Sequence, residues 1–153
     1  MIPAAHARYV LDASVAAKWF TRQDEADRDK ALALRELHRT RRCRLTVPEF
    51  GLLEVLNAVR FSRQAREADT TEALTVLRDL QLDLEPVDWD VLRKATAIAW
   101  AYQLALYDAA YVALAERLGF PLLTADEAFL KKMKGHSIVL RLRDMEFSDS
   151  FSP

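Results

Sequence analysis

The feature that most constrains this chain is an alternation. Short apolar runs are separated by longer stretches in which apolar residues recur at helical spacing. Tyr9-Val10-Leu11, Leu45-Thr46-Val47, Pro121-Leu122-Leu123-Thr124 and Ser137-Ile138-Val139-Leu140 read as buried strands, and Leu84-Glu85-Pro86-Val87 as an edge strand. Between them the pattern is helical. Ser14 is suited to cap a helix through Trp19 and Phe20. Asp24 to His38 carries Ala31, Leu32, Leu34 and Leu37 on one side, an amphipathic helix. Pro48 fits the first turn of a helix running to about Arg66, and another runs from about Thr70 to Gln81. Asp88 to Leu118 is helical without Gly or Pro, as one helix or as two with a break near Leu104–Tyr107. Gly119 and Gly135 look like helix ends, the second closing a short helix from Asp126 to Met133. Strands alternating with helices predict an α/β fold, an α/β/α sandwich with a short, mainly parallel sheet.

Composition narrows what such a fold serves. At 153 residues the chain makes one domain, expected over 8–140 with short terminal arms at 1–7 and 141–153. With 51% hydrophobic and 29% charged residues it can build a packed core, and no run is long enough to span a membrane. The amino terminus has no basic region ahead of an apolar run, so no signal peptide is read there. One cysteine, Cys43, makes neither an internal disulfide nor a structural zinc site, which points to the reducing cytoplasm. The formal charge of −1 gives no global attraction to nucleic acid. Arginines nevertheless cluster at Arg41–Arg44 and Arg60–Arg66.

In α/β folds ligands gather at the carboxyl ends of strands. Asp12 ends the first strand and Asp126 follows a later one. Each also suits a turn or cap. Glu54, Asn57 and Arg60 are the only polar side chains across the Phe50–Phe61 stretch, spaced by three on one helix stripe. That stripe faces solvent, or it lines a polar cleft if the helix is otherwise buried. Asp108 is the only charge between Tyr107 and Ala115 and would sit in a first helical turn, where the helix dipole alone is a sufficient explanation. Taken together, acids from four separate elements in apolar frames repel one another and need a counter-charge. A hard divalent cation with oxygen ligands supplies it, and Mg²⁺ leaves room for phosphate oxygens. Metal-assisted phosphoryl chemistry follows from that donor set.

The segments Tyr9-Val10-Leu11-Asp12-Ala13-Ser14, Glu54-Val55-Leu56-Asn57-Ala58, Tyr107-Asp108-Ala109-Ala110-Tyr111-Val112-Ala113-Leu114-Ala115 and Leu123-Thr124-Ala125-Asp126 resemble the PIN domain, and more narrowly the VapC-type toxins of toxin–antitoxin operons. The resemblance runs from about Arg8 to Leu140 with the motifs in family order. It implies an endoribonuclease dependent on Mg²⁺ or Mn²⁺, a small antitoxin whose tail occupies the cleft, and a homodimer in the cytoplasm. Asp12, Glu54, Asp108 and Asp126 match the family's acidic tetrad. Asp12 and Asp108 would be the chief metal ligands, with Asp126 binding directly or through water and Glu54 holding a water or acting as base. Ser14 and Thr124 match its small hydroxyl positions, which support metal waters and carboxylates. Arginines among Arg41–Arg44 or Arg60–Arg66 would position the RNA backbone. The stretches 21–44 and 68–87 match less closely and are expected to set antitoxin and RNA choice.

Other residues have plainer readings. His6, His38 and His136 lack ligand spacing. Cys43 stands among arginines that could favour its thiolate, but without a partner motif. Trp19, Trp89, Trp100 and Tyr102 read as core or dimer contacts, and Asp24, Glu25, Asp27 and Asp29 as a solvated acidic helix start. Two alternatives stay open beside the toxin: a PIN nuclease of RNA maturation without antitoxin, and a non-catalytic metal- or protein-binding module.

Overall fold

A computed structural model describes residues 7–21 and 25–147. The expected terminal arms and the Asp24 end of the expected acidic helix fall largely outside these residues. The order of elements is β1 (Ala7–Leu11), α1 (Ala13–Ala16) running into a 3-10 turn (Ala17–Phe20), α2 (Arg28–Arg39), β2 (Cys43–Pro48), α3 (Glu49–Arg60), α4 (Glu67–Leu80), β3 (Asp83–Glu85), α5 (Trp89–Tyr102), α6 (Leu106–Leu118), β4 (Leu122–Thr124), α7 (Glu127–Lys132), β5 (Val139–Arg141) and a final 3-10 turn (Leu142–Asp144). The strands form one five-stranded sheet in the order β3-β2-β1-β4-β5. Every pairing is parallel.

Burial on both faces explains the continuous apolar runs of the central strands. Consecutive residues feed opposite layers. Val10 and Leu122 pack with α5, α6 and Phe129, whereas Leu11 and Leu123 pack with Trp19, Leu34 and Leu77 on the other side. The expected α/β/α sandwich is what forms. Helix α6 lies deepest, with every side chain from Ala109 to Ala115 buried. Leu142, just past the last strand, is also fully buried.

Several local expectations shift. The helix entered at Pro48 ends at Arg60, not Arg66, and a turn precedes α4. Helix α2 begins at Arg28 behind Asp27, which adopts a left-handed φ of 62° and pairs with Arg143, so this acid is held rather than simply solvated. Ser14 does not cap α1; its hydroxyl bonds to Asp12. The long helical stretch is two helices, broken where Gln103 takes a left-handed conformation. Trp19 is buried and donates from Nε1 to the Ala31 carbonyl at 2.8 Å, but Trp89 and Trp100 are 87% and 77% exposed and belong to no core.

A candidate active site at the sheet's switch point

From β1 the chain steps one way through β2 to β3, then returns to β4 and β5 on the other side. The reversal lies between β1 and β4, and the crevice beyond their carboxyl ends is where such sheets bind ligands. Parallel register pairs Val10 with Leu122 and Leu11 with Leu123, so the next residues, Asp12 and Thr124, meet at the mouth of that crevice. Residues more than a hundred positions apart are thereby fixed by backbone pairing.

Asp12 is only 8% exposed. Its Oδ2 accepts from the Ser14 hydroxyl at 2.5 Å and from the Thr124 hydroxyl at 2.8 Å. Both hydroxyl protons are thus committed, and the 3.2 Å approach between the two oxygens is a consequence of sharing one acceptor. The hydroxyls also accept: Ser14 from the Ala125 amide at 3.0 Å, Thr124 from the Asp126 amide at 3.1 Å. Burial raises the Asp12 pKa, the hydroxyl bonds oppose the rise, and the charge of Asp126 adds to it.

Asp126 caps α7, its Oδ1 accepting from the Phe129 amide at 3.1 Å. The plain reading as a cap is therefore correct, and the carboxylate still acts electrostatically on Asp12 and Asp108. Asp108 stands in the first turn of α6. Its pKa is pushed up to about 6, first by burial and then by the charges of Asp12 and Asp126, with Lys132 partly offsetting them. A first-turn carboxylate gains ~0.3–1 kcal/mol from the helix dipole, and here burial and repulsion outweigh it. Lys132 is tethered at 2.9 Å to the Gln103 carbonyl, in the break between α5 and α6.

Glu54 is half-buried on α3 and accepts from the Tyr111 hydroxyl at 2.9 Å. Burial raises its pKa, the tyrosine bond lowers it, and Asp12 and Asp108 raise it further. The rest of its stripe is different. Asn57 and Arg60 are exposed, and so is Leu53 at 70%, so the helix is buried along Gly51, Val55 and Val59 but not on every apolar side. Glu54 opens instead onto a groove of about 640 Å³ whose walls include Phe50, Leu53, Asn57 and Tyr107.

Tyr111 carries a role that spacing alone did not reveal. It is 1% exposed, its pKa is raised strongly by burial and by the acids around it, and it props Glu54. Its position one turn after Asp108 on the same helix was the available signal. Gly51 permits the approach, since a Cβ there would stand 2.8 Å from the Tyr111 hydroxyl.

The structure thus brings Asp12, Ser14, Glu54, Asp108, Thr124 and Asp126 into one electrostatic and hydrogen-bonded group. It places Arg41–Arg44 elsewhere. They adjoin the amino end of β2, about 16 Å along the strand from its carboxyl end, and Arg44 is bound to Asp83. Cys43 is buried, and its thiol is pushed up to about 11, so the nearby arginines do not activate it. His38 is buried, with Nδ1 accepting from the Leu45 amide and Nε2 meeting the Leu80 carbonyl, a structural bridge.

Among the described residues no three His, Cys, Asp or Glu side chains converge on one metal-sized point. The donor chemistry nevertheless fits a hard divalent cation. The donors are all carboxylate oxygens, three of them raised above their ordinary pKa, and none of the four forms an ion pair among the described residues.

The model of the PIN domain matches residues 9–135. No curated protein matches in a sequence search. Similar solved structures include a toxin–antitoxin complex from Klebsiella pneumoniae, 14% identical, covering 88% of this chain and 97% of that one at a TM-score of 0.64. VapBC-5, a member of the VapBC toxin–antitoxin family from Mycobacterium tuberculosis, is 22% identical over 88% of this chain and 97% of its own, at 0.55. VapC20 of the same organism, described as a toxin cleaving the sarcin-ricin loop, is 16% identical over 80% and 93%, at 0.61. At these identities the likeness concerns the fold.

Proposed function

The chain belongs to the PIN-domain family, and from that premise we propose that it is a metal-dependent endoribonuclease, the toxin of a toxin–antitoxin pair. The observation that carries this reading is the acid group at the switch point. Asp12, Asp108 and Asp126 stand on three elements around the crevice, and each raises or is raised by the others. Such an arrangement is unfavourable for stability and suited to gathering positive charge.

Asp12, Asp108 and Asp126 would hold Mg²⁺ or Mn²⁺, with Glu54 beside them. The bound ion supplies Lewis acidity, lowering the pKa of water and offsetting charge on phosphoryl oxygens. The protein's own part is orientation and proton handling. Ser14 and Thr124 fix the Asp12 carboxylate by hydrogen bonds to one oxygen. Tyr111 holds Glu54 by Oε1, which leaves Oε2 to accept a proton from an attacking water. Asp108 is set by the first turn of α6 and Asp126 by its capping of α7.

The partner assignments have their own support. Solved relatives of this fold include complexes described as toxin–antitoxin pairs. A patch of Leu53, Leu106 and Tyr107, each more than half exposed and next to Glu54 and Asp108, suits pairing of two copies. Light scattering should give a dimer mass for the wild type and a monomer mass for Leu53→Glu. Among the described residues no helix is long and apolar enough to cross a membrane; the cytoplasmic assignment rests on the single cysteine, Cys43.

The deciding experiment is cleavage of a panel of tRNA, ribosomal RNA and mRNA by wild type and Asp108→Asn, with Mg²⁺, Mn²⁺ or EDTA. Discrete cuts that need metal and disappear in the variant are expected. Identical wild-type, variant and EDTA lanes would overturn the nuclease reading and leave the binding-module alternative.

A further inference from the structure

Past β5 the chain does not trail away. Residues 142–147 lie beyond the 9–135 span of the PIN-domain match, in the stretch expected as a terminal arm. Leu142 is fully buried, and Met145 and Phe147 pack against the same core layer as Ala31 and Leu34 of α2. The polar groups of the two segments then engage one another. Lys30 of α2 donates from Nζ to the Arg143 carbonyl at 2.5 Å and to the Met145 carbonyl at 2.9 Å. In return Arg143 donates from Nε to the Asp27 carboxylate, at 3.1 and 3.4 Å from its two oxygens.

Each bond serves a group that its own segment leaves open. The carbonyls at the end of a helical turn have no partner within it, and a lysine beside them is favourable. Lys30 takes that place for the Leu142–Asp144 turn from 113 positions away. Asp27 stands at the N-cap of α2, where an aspartate ordinarily accepts from the free amides. It makes no such side-chain cap bond, and its carboxylate turns to Arg143 instead. The ion pair of Lys30 with Glu146, at 3.8 Å and with the acid 95% exposed, adds little. From its other side the first turn of α2 is held by two bonds. Arg28 donates from Nε to the Thr21 carbonyl at 3.0 Å, and Trp19 donates to the Ala31 carbonyl.

We propose that residues 143–147 are a latch on α2, hinged at the buried Leu142, and that the latch and the first turn of α2 open and close as one unit over a fixed sheet. The proposal is independent of the nuclease reading. The bonds across the latch are polar and partly exposed, whereas the central strands pair between two apolar layers. Segments held in the first way open locally before the core does. Opening also changes the surface. Trp19, Phe20, Thr21 and Arg28 form one end of a groove of about 960 Å³ that reaches to the α3–α4 connection. Freeing the first turn of α2 releases Arg28 from Thr21 and Ala31 from Trp19, so the latch sets the shape of that end although none of its own residues lines the groove.

The test is amide hydrogen exchange resolved by NMR on the full-length protein. The Ala31 amide, bonded to the Asp27 carbonyl at 3.1 Å, reports the turn of α2. The Met145 amide, bonded to the Leu142 carbonyl at 3.0 Å, reports the latch, and the Val10 amide, bonded to the Pro121 carbonyl at 2.9 Å, reports the sheet. Lys30→Met, a change on α2, should speed exchange at Met145 as well as at Ala31 by about tenfold. Arg143→Gln, a change on the latch, should speed both by about threefold, since its pair with Asp27 is more exposed. Val10 should keep its wild-type rate in each. Lys30→Arg, which keeps the charge and the donors, should retain most of the protection. Acceleration confined to the mutated segment would show two segments that open separately, and acceleration shared by Val10 would show general destabilisation. Either result, or no change at Ala31 and Met145 in both variants, would overturn the proposal.

Discussion

Two carboxylates of the same site, Asp12 and Asp108, are supported in opposite ways. Asp12 sits in a built cradle, its Oδ2 taking two hydroxyl protons while those hydroxyls accept amides from the β4–α7 turn. Asp108 makes no side-chain hydrogen bond or ion pair among the described residues and stands against the field of its neighbours at a pKa of about 6. One end of the site is fixed by bonds, and the other by helix placement alone. A site that must receive a cation gains from both. The cradle sets where a ligand goes, and the unrelieved acid supplies the electrostatic demand for it.

The sharpest way to break this contrast is to neutralise each acid. Asp12→Asn and Asp108→Asn should each lower kcat/KM for RNA cleavage by about a hundredfold or more. The double variant should fall little further, because groups acting as a unit are not additive. Multiplying losses would show that the two acids serve separate steps.

A smaller effect should come from removing the cradle while keeping the acids. Thr124→Val deprives a buried carboxylate of one donor and the Asp126 amide of its acceptor. It should cost about 1–3 kcal/mol of stability, seen as a lower thermal midpoint, and roughly 10–100-fold in cleavage. A variant as stable and active as wild type would mean that the hydroxyl bonds are incidental.

The pH dependence has the same sign for both acids, since each is raised in the folded state. An acid raised in the folded state binds its proton more tightly there than in the unfolded chain. The stability linked to Asp108 is therefore present below its ordinary value of 3.8 and is lost as pH rises through about 6. In EDTA the thermal midpoint should fall between about pH 4 and 6, and Asp108→Asn should flatten that fall. Divalent metal at pH 7 should restore part of it.

Much of the site was legible before the fold was known. Asp12 and Asp126 were visible because a strand's end is marked by the stop of an apolar run, and Asp126 is also the local cap it resembled. Asp108 stood out as the single charge ahead of an alanine-rich helical stretch, and the structure buries that stretch from Ala109 to Ala115. Glu54 was harder. Its stripe left a solvent face and a cleft lining both open; Leu53 faces outward, and the Tyr111 hydroxyl ties Glu54 inward. The Ser14 cap was misread because a serine just past a strand has the same local signature whether its hydroxyl turns to the helix amides or back to the aspartate at the strand's end. The position of the arginines at 41–44 at the amino end of β2 was not legible either, as charge clustering carries no information about which end of a strand it occupies.

The sequence by itself determined the alternation of strands and helices, the acids at the strand ends and the break points at residues such as Gly119. These depend on neighbours within a turn or two, where side-chain periodicity and backbone preference act. Tertiary structure decided the rest. Parallel pairing of β1 with β4 placed Thr124 on Asp12, the crossing of α3 over α6 at Gly51 brought Tyr111 to Glu54, and the packing of α2 against the α3–α4 connection gathered four arginines. Contacts between residues 57 to 112 positions apart exist only once the chain has closed its core, because no local preference encodes the partner.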